Sequence, residues 1–283
     1  MSYIKDDVSA KRKIGMVLTY AVLILFAILA IAPLLWLAIN SFKTSQDYQM
    51  NRLGFPRRFF WQNYTQAWQR GHFGVYIVNS VIYTAITTVS ILILSFLSGF
   101  AFAKINNRNT KWIYGSYVVG ILMTLQSIMI PLFIVINQVG LYDTKLGVLI
   151  PYVGIGLPMG IYLATEFMKS IPNALIESAR LDGAKYSRIF ISIMAPMAAP
   201  VGTTITIIQI SGTWNEFMLI NMLTSSTKNK SLPVGIQSFA GSLSTDYGKL
   251  FASLMIGLIP MLVFYIIFRK EITKGVSAGA VKG

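Results

Sequence analysis

The chain has 283 residues, a formal net charge of +14, and 54% hydrophobic against 12% charged residues, with a mean hydropathy of +0.61. Ordinary globular chains carry roughly 25% charged residues, so there is too little charge here to clothe a soluble surface, and a disordered chain is excluded as well. Cysteine is absent, which removes disulfide scaffolds, thiol nucleophiles, cysteine–zinc sites and iron–sulfur clusters; a single histidine, His72, leaves no His-based metal site.

Charge divides the remainder. Six stretches free of charged side chains run from Ile14 to Phe42, Gly71 to Ala103, Trp112 to Tyr142, Leu146 to Thr165, Ile189 to Asn215 and Leu250 to Phe268. Each is about as long as the roughly 20 apolar residues that cross a bilayer. Lipid admits only helices or closed barrels, and Val22 to Leu35 lacks the alternation of a barrel strand. The expectation is an all-α integral membrane protein with transmembrane helices over 14–41, 74–103, 112–138, 147–167, 196–223 and 248–268, in one transmembrane domain spanning 1–283. Lys11-Arg12-Lys13 and Ala30-Ile31-Ala32 imitate a signal peptide, but Pro33 and a further apolar run follow, so the first stretch reads as an uncleaved helix.

An even number of spans puts both ends on one side. Fifteen of the 24 Lys and Arg then fall in 1–13, the loop after the second span, the loop after the fourth, and the tail 269–283; nine fall opposite. The positive-inside rule makes both termini cytoplasmic. The basic residues are scattered over loops on both faces, which argues against nucleic acid as a partner and for membrane lipid.

The first outer loop, Lys43 to His72, carries Phe59, Phe60, Trp61, Tyr64 and Trp68, a composition suited to an interfacial aromatic belt. The inner stretch 168–190 holds Pro172, Glu177, Arg180, Asp182 and Gly183. Pro172 suits the first turn of a helix and Ser170 its cap. Glu177 and Arg180 are spaced i,i+3 on one face. Gly183 ends the helix with φ > 0, and a second helix follows from Ala184. The product is a short helix, a glycine corner and another helix, forming an elbow. The second span has Asn79, Ser80, Thr84, Thr87, Thr88 and Ser90, and the fifth has Thr203, Thr204, Gln209, Ser211, Thr213, Asn215 and Glu216; such faces either bond neighbouring helices or line a wet path, and the fifth favours the path because its polar residues thicken toward the outer end. The third outer loop, from about Ser225 to Asp246, is long for a connection and suits a docking or gating surface.

No catalytic constellation is present. The chain lacks Gly-x4-Gly-Lys-Ser/Thr and His-Glu-x-x-His. Among its acids only Glu216, and less so Glu166, falls near membrane depth, whereas ion-driven pumps carry ionisable groups in their spans. An ion-coupled secondary transporter with six spans is the alternative reading.

Glu177-Ser-Ala-Arg-Leu-Asp182-Gly183-Ala, followed by Ile193, Pro196 and Pro200, resembles the EAA loop of ABC importer permeases. Ser178 stands for the first alanine of that pattern and Ala195 for its leucine. Asn63-Tyr64, Asn79-Ser80, Ile130-Pro131, Gly140-Leu-Tyr-Asp-Thr, Trp214-Asn215-Glu216-Phe217, Leu232-Pro-Val-Gly235 and the tail Lys274 to Gly283 are similar to the carbohydrate branch, specifically its MalG-like subunit. The resemblance covers nearly the whole chain. It implies a type I importer permease fold (MetI/MalG-like) in the cytoplasmic membrane of a bacterium. It also implies a second homologous permease, two ATPase subunits that bind the ATP and Mg, an extracellular sugar-binding protein, and a sugar or oligosaccharide cargo. Glu177, Ser178, Ala179, Arg180, Asp182 and Gly183 would couple to the ATPase. Asn79, Gln209, Thr213, Asn215 and Glu216 would lie on the path, and Leu232, Pro233 and Gly235 in a loop reaching toward the binding protein. No metal or catalytic residue is expected.

Overall fold

A computed structural model describes residues 3–105, 108–240 and 245–280. The described residues form helices and no strand; Ala240 and Thr245 make one isolated antiparallel bridge. In chain order the helices are α1 (Tyr3–Asn40), α2 (Ser45–Met50), α3 (Gln62–Arg70), α4 (Phe73–Lys104), α5 (Arg108–Gly120), α6 (Leu125–Gln138), α7 (Lys145–Lys169), α8 (Asn173–Leu181), α9 (Tyr186–Ile189), a π-helical turn Phe190–Met194, α10 (Ala195–Met197), α11 (Ala199–Asn215), α12 (Met218–Leu223), α13 (Leu232–Gln237) and α14 (Tyr247–Ala280). Gly241 and Ser242 of the third outer loop, and the last three residues of the tail motif, lie outside the described residues.

Four helical segments, Gly15–Asn40, Phe73–Lys104, Lys145–Lys169 and Tyr247–Glu271, are each long and apolar enough to cross a membrane. The other two expected spans are broken. The stretch 112–138 is two helices meeting at 106°. After Gly120 the chain makes tight turns, Leu122 N–H to Val119 O and Met123 N–H to Gly120 O, and restarts from an extended Thr124. The stretch 196–223 bends by 71° at Ala198 and stops at Asn215, where Glu216 is extended. The bend has a covalent cause: Pro196 and Pro200 flank Ala198 and neither can donate to the preceding turn. Apolar composition measures depth, not continuity, so both breaks were invisible to it. By contrast, Pro151 and Pro158 in α7 and Pro260 in α14 sit inside continuous helices.

The chain divides into two compact units. The first comprises residues 1–71 and 236–256. In it, Trp36 of α1 packs edge-on against Phe251 at 5.4 Å and Tyr48 at 6.1 Å, and Phe42 gathers Phe59, Trp61 and Tyr64. Asn63 anchors the loop by donating to the Ser41 and Lys43 carbonyls, both at 2.8 Å.

The second unit comprises residues 72–235 and 257–283. Its frame is α4 against α7 and α11. Asn79, Ser80, Thr84, Thr87 and Thr88 are all buried. Close approach of α4 and α7 is possible because Gly160 lacks a side chain: a Cβ there would stand 2.3 Å from the Ser95 Oγ and 2.9 Å from Ile91. Two apolar clusters hold the ends. One joins Phe100, Met168, Ile171, Ile176, Ile189 and Met194 near the elbow. The other joins Tyr83, Ile136, Tyr152, Leu219, Leu223 and Val234 at the opposite end.

Candidate functional site

The elbow begins where α7 ends. Ser170 closes α7 as its C-cap instead of opening the next helix, and Pro172, extended at ψ 134°, stands at the N-cap of α8. The expected second helix starts at Tyr186, two residues later than its sequence suggests, because Lys185 is extended. Lys104 at the end of α4 fixes the start of α8: its ammonium donates to the Ile171 carbonyl at 2.6 Å and to Asn173 Oδ1 at 2.8 Å. Ile176 then points into the cluster with Phe100 and Met168, and Ala179 packs half-buried beside it.

The corner at Gly183 closes as sequence suggests. Its φ is +79°, the Ala184 N–H reaches the Ala179 carbonyl at 2.9 Å, and the Gly183 N–H reaches the Arg180 carbonyl at 3.0 Å. These are the paired bonds of a Schellman motif, which satisfy carbonyls that the helix end leaves open. Arg180 turns to Tyr186, with its guanidinium 5.2 Å from the ring centre and donating to the hydroxyl at 3.2 Å. It does not take up the i,i+3 spacing with Glu177.

Glu177, Ser178, Leu181, Asp182 and Gly183 consequently face outward, and Leu181 is 89% exposed. A cleft of about 420 Å³ opens beside them, walled by Ile176, Glu177, Arg180 and Tyr186 on one side and Lys104 and Lys111 on the other. The arrangement is an apolar foot set rigidly in the bundle, carrying an exposed acidic and aliphatic crest.

At the opposite end of this unit the expected path and docking residues take structural parts. Both Asn79 amide hydrogens are committed, to the Lys228 carbonyl at 2.8 Å and the Lys230 carbonyl at 2.9 Å. Tyr83 donates to the Asn229 carbonyl at 2.8 Å, and Ser80 Oγ accepts the Leu232 N–H at 2.9 Å. Leu232 and Gly235 are buried and Pro233 half-buried. They therefore pack the loop onto α4 and present little to a partner; Gln237 and Ser238 are the exposed residues of that stretch.

Gln209 is 9% exposed, with its amide 3.4 Å from the Gly156 carbonyl. Thr213 is half-buried, and Asn215 is exposed while donating back to Ser211. Glu216 is a cap. Its carboxylate accepts from the Leu219 N–H at 2.7 Å, the Ile220 N–H at 3.1 Å and the Tyr152 hydroxyl at 2.6 Å, so the break between α11 and α12 is held by the side chain that made the fifth span look ionisable.

Asp143 is the centre of the same end and received no role from the sequence. It sits at φ +53° and accepts from the Ser225 and Ser226 N–H groups, the Ser226 hydroxyl and the Asn229 amide. Burial pushes its carboxyl up, but those hydrogen bonds together outweigh burial and hold it at about 2. Asp143, Asn229, Tyr83 and Tyr152 could be found only through contacts distant in sequence; Lys104 and Tyr186 are the equivalent omissions at the elbow.

Residues 92–269, which include the elbow and both breaks, match the family of binding-protein-dependent transport system inner membrane components. The chain belongs to this family of ABC transporter permeases. A putative ABC transporter permease of a Caldicellulosiruptor species is 36% identical to the permease over 262 residues, covering 92% of this chain and 95% of that one. A multiple sugar-binding transport system permease protein of Streptococcus mutans is 30% identical, covering 96% and 99%. A crystal structure of a bacterial ABC transporter involved in alginate import contains a chain that superposes with a TM-score of 0.78 at 22% identity, covering 91% of the permease and 96% of that chain. That likeness shows the shared fold. Among the described residues of the permease no cluster of three or more metal-binding side chains occurs.

Proposed function

We propose that this permease is the transmembrane subunit of an ATP-driven, binding-protein-dependent importer. It carries a sugar or oligosaccharide across the bacterial cytoplasmic membrane by alternating access, with both termini in the cytoplasm. The observation that carries the proposal is the elbow: an exposed crest of Glu177, Ser178, Leu181 and Asp182 on a foot buried through Ile176 and pinned by Lys104. An exposed leucine beside acidic groups, on a helix that cannot pivot independently of the bundle, suits a surface that receives force from another protein. That partner is an ATPase present in two copies, which binds the ATP and Mg; Glu177 meets a basic residue there and Asp182-Gly183 sets the angle. The remaining partners are a second, homologous permease and an extracellular sugar-binding protein.

The cargo class follows the sugar permeases among the relatives. Of the path candidates on α11, Asn215 is exposed and Thr213 half-buried, and Gln209, Glu216 and Asn79 support the walls. The test is copurification with the products of adjacent genes in mild detergent. The expected result is a second permease and an ATPase whose hydrolysis rises with a sugar-loaded binding protein. A chain that purifies alone and moves solute along an ion gradient would overturn the proposal in favour of a secondary transporter.

A further inference from the structure

The loop following α1 carries a set of exposed apolar side chains to which the proposed transport role assigns nothing. Met50, Leu53, Phe55, Phe59 and Trp61 are all exposed, Leu53 at 85% and Phe55 at 75%. Loops in water rarely display so many large apolar groups together. These are not fraying residues, because the segment is fixed at both ends. The Trp36 indole N–H donates to the Arg52 carbonyl at 2.9 Å, and the Phe60 N–H donates to the Phe42 carbonyl at 2.9 Å. The Lys43 ammonium donates to the Asn51 carbonyl at 2.6 Å, and the Gly54 N–H reaches Asn51 Oδ1 at 2.8 Å.

Those anchors also set a depth. Trp36 belongs to the Gly15–Asn40 membrane segment, four residues before its end, which is about 6 Å of helix. The interfacial layer on each side of a bilayer is about 5–8 Å thick. A segment tied to residues 36 and 42 therefore lies within that layer at the Asn40 end of α1. Three arginines, Arg52, Arg57 and Arg58, are exposed in the same segment, and one acid, Asp47, stands 3.9 Å from Arg57. The pattern is apolar groups interleaved with an excess of guanidinium.

We infer that residues 50–61 form an anchor that inserts Leu53, Phe55 and their apolar neighbours among acyl chains and binds the phosphates of anionic phospholipid through Arg52, Arg57 and Arg58. Guanidinium pairs with phosphate oxygens in bidentate fashion, and basic groups near an anionic surface are drawn to it. The anchor would hold the first unit at a fixed height in the bilayer.

Because the chain has no cysteine, the test is direct. Leu53→Cys and Phe55→Cys are each labelled with an environment-sensitive fluorophore, and the permease is reconstituted with its copurifying partners into phosphatidylcholine vesicles with and without phosphatidylglycerol. The expected result is quenching by nitroxide lipid and little by aqueous iodide, stronger with phosphatidylglycerol. In the Arg57→Gln/Arg58→Gln background the phosphatidylglycerol-dependent part of the quenching is lost. Quenching by iodide alone would overturn the inference. So would protection from both quenchers, which would mean that a protein covers the loop. None of these readings depends on which solute is transported.

Discussion

Replacing Gly183 in a graded series isolates the elbow's geometry from its packing. At φ +79° an L-residue is strained, yet a Cβ there would meet no atom within 4 Å. Alanine therefore introduces a conformational cost alone, about 1–2 kcal/mol, with no clash added. Asparagine tolerates the left-handed region better than alanine and should cost less. Proline cannot reach positive φ and also deletes the N–H that donates to Arg180, so it removes the corner. A penalty of about 1 kcal/mol corresponds to roughly a fivefold change in an equilibrium. Sugar uptake per ATP hydrolysed in vesicles holding the complete transporter should then fall in the order Gly, Asn, Ala, Pro. Gly183→Pro should retain ATP hydrolysis with little uptake. Gly183→Pro transporting at the wild-type rate would refute the reasoning, and so would alanine outperforming asparagine.

Three other perturbations address separate parts of the structure. Glu177→Lys should reduce the amount of ATPase that copurifies without lowering the thermal stability of the permease itself, because the side chain is exposed; undiminished copurification would argue against docking there. Glu216→Ala should destabilise by about 2–3 kcal/mol, since hydrogen bonds to a charged acceptor are the stronger kind and this carboxylate accepts three; a melting temperature equal to wild type would show the cap to be dispensable. Asp143 contributes stability above the ordinary aspartate value near 3.9, which is lost as pH falls toward its own value of about 2. Asp143→Asn should therefore flatten the fall in melting temperature between about pH 4 and pH 2, and parallel curves for the two proteins would exclude this carboxyl as the cause.

The elbow was legible because every signal for it is local. Asp182-Gly183 dictates a turn, Pro172 marks a boundary, and the Schellman bonds join residues at most five apart. Ser170's place as a C-cap and the turn of Arg180 to Tyr186 escaped, and so did the fastening: Lys104 reaches Asn173 across 69 positions, and no periodicity reports such a pair. The opposite end reversed that balance. Asn79, Glu216, Leu232 and Gly235 stood out as polar or motif residues, and polarity in an apolar span reads equally well as a path or as a bond. Their partners lie up to 152 positions away, so the choice needed coordinates. The two broken spans divide similarly. Pro196 and Pro200 explain one break in covalent terms although apolar composition reads a single span through it, whereas the 106° turn after Gly120 arises from backbone bonds that no residue type demands.

Flexibility is distributed unevenly between the two ends, and on the proposed reading that distribution assigns the motion. Force arriving at α8 enters the cluster containing Ile176, Ile189, Met194, Ala198, Val201 and Ile205, which joins the elbow to α11. Along that route the backbone passes through the π-helical turn 190–194, then Pro196, then the 71° bend at Ala198, then Pro200. A π turn and two prolines leave this stretch with fewer and poorer i→i−4 bonds than any other part of the route. Beyond it, α11 ends at Glu216, whose carboxylate is held by two backbone groups and Tyr152, and the Asp143 and Asn79 bonds fix the loops around it. Bending is cheap at 190–200 and costly at 216–232. Strain from a push on the elbow should thus be taken up at 190–200, while Thr213 and Asn215, the proposed path residues of α11 with half-buried and exposed side chains, keep their place beside the pinned Glu216.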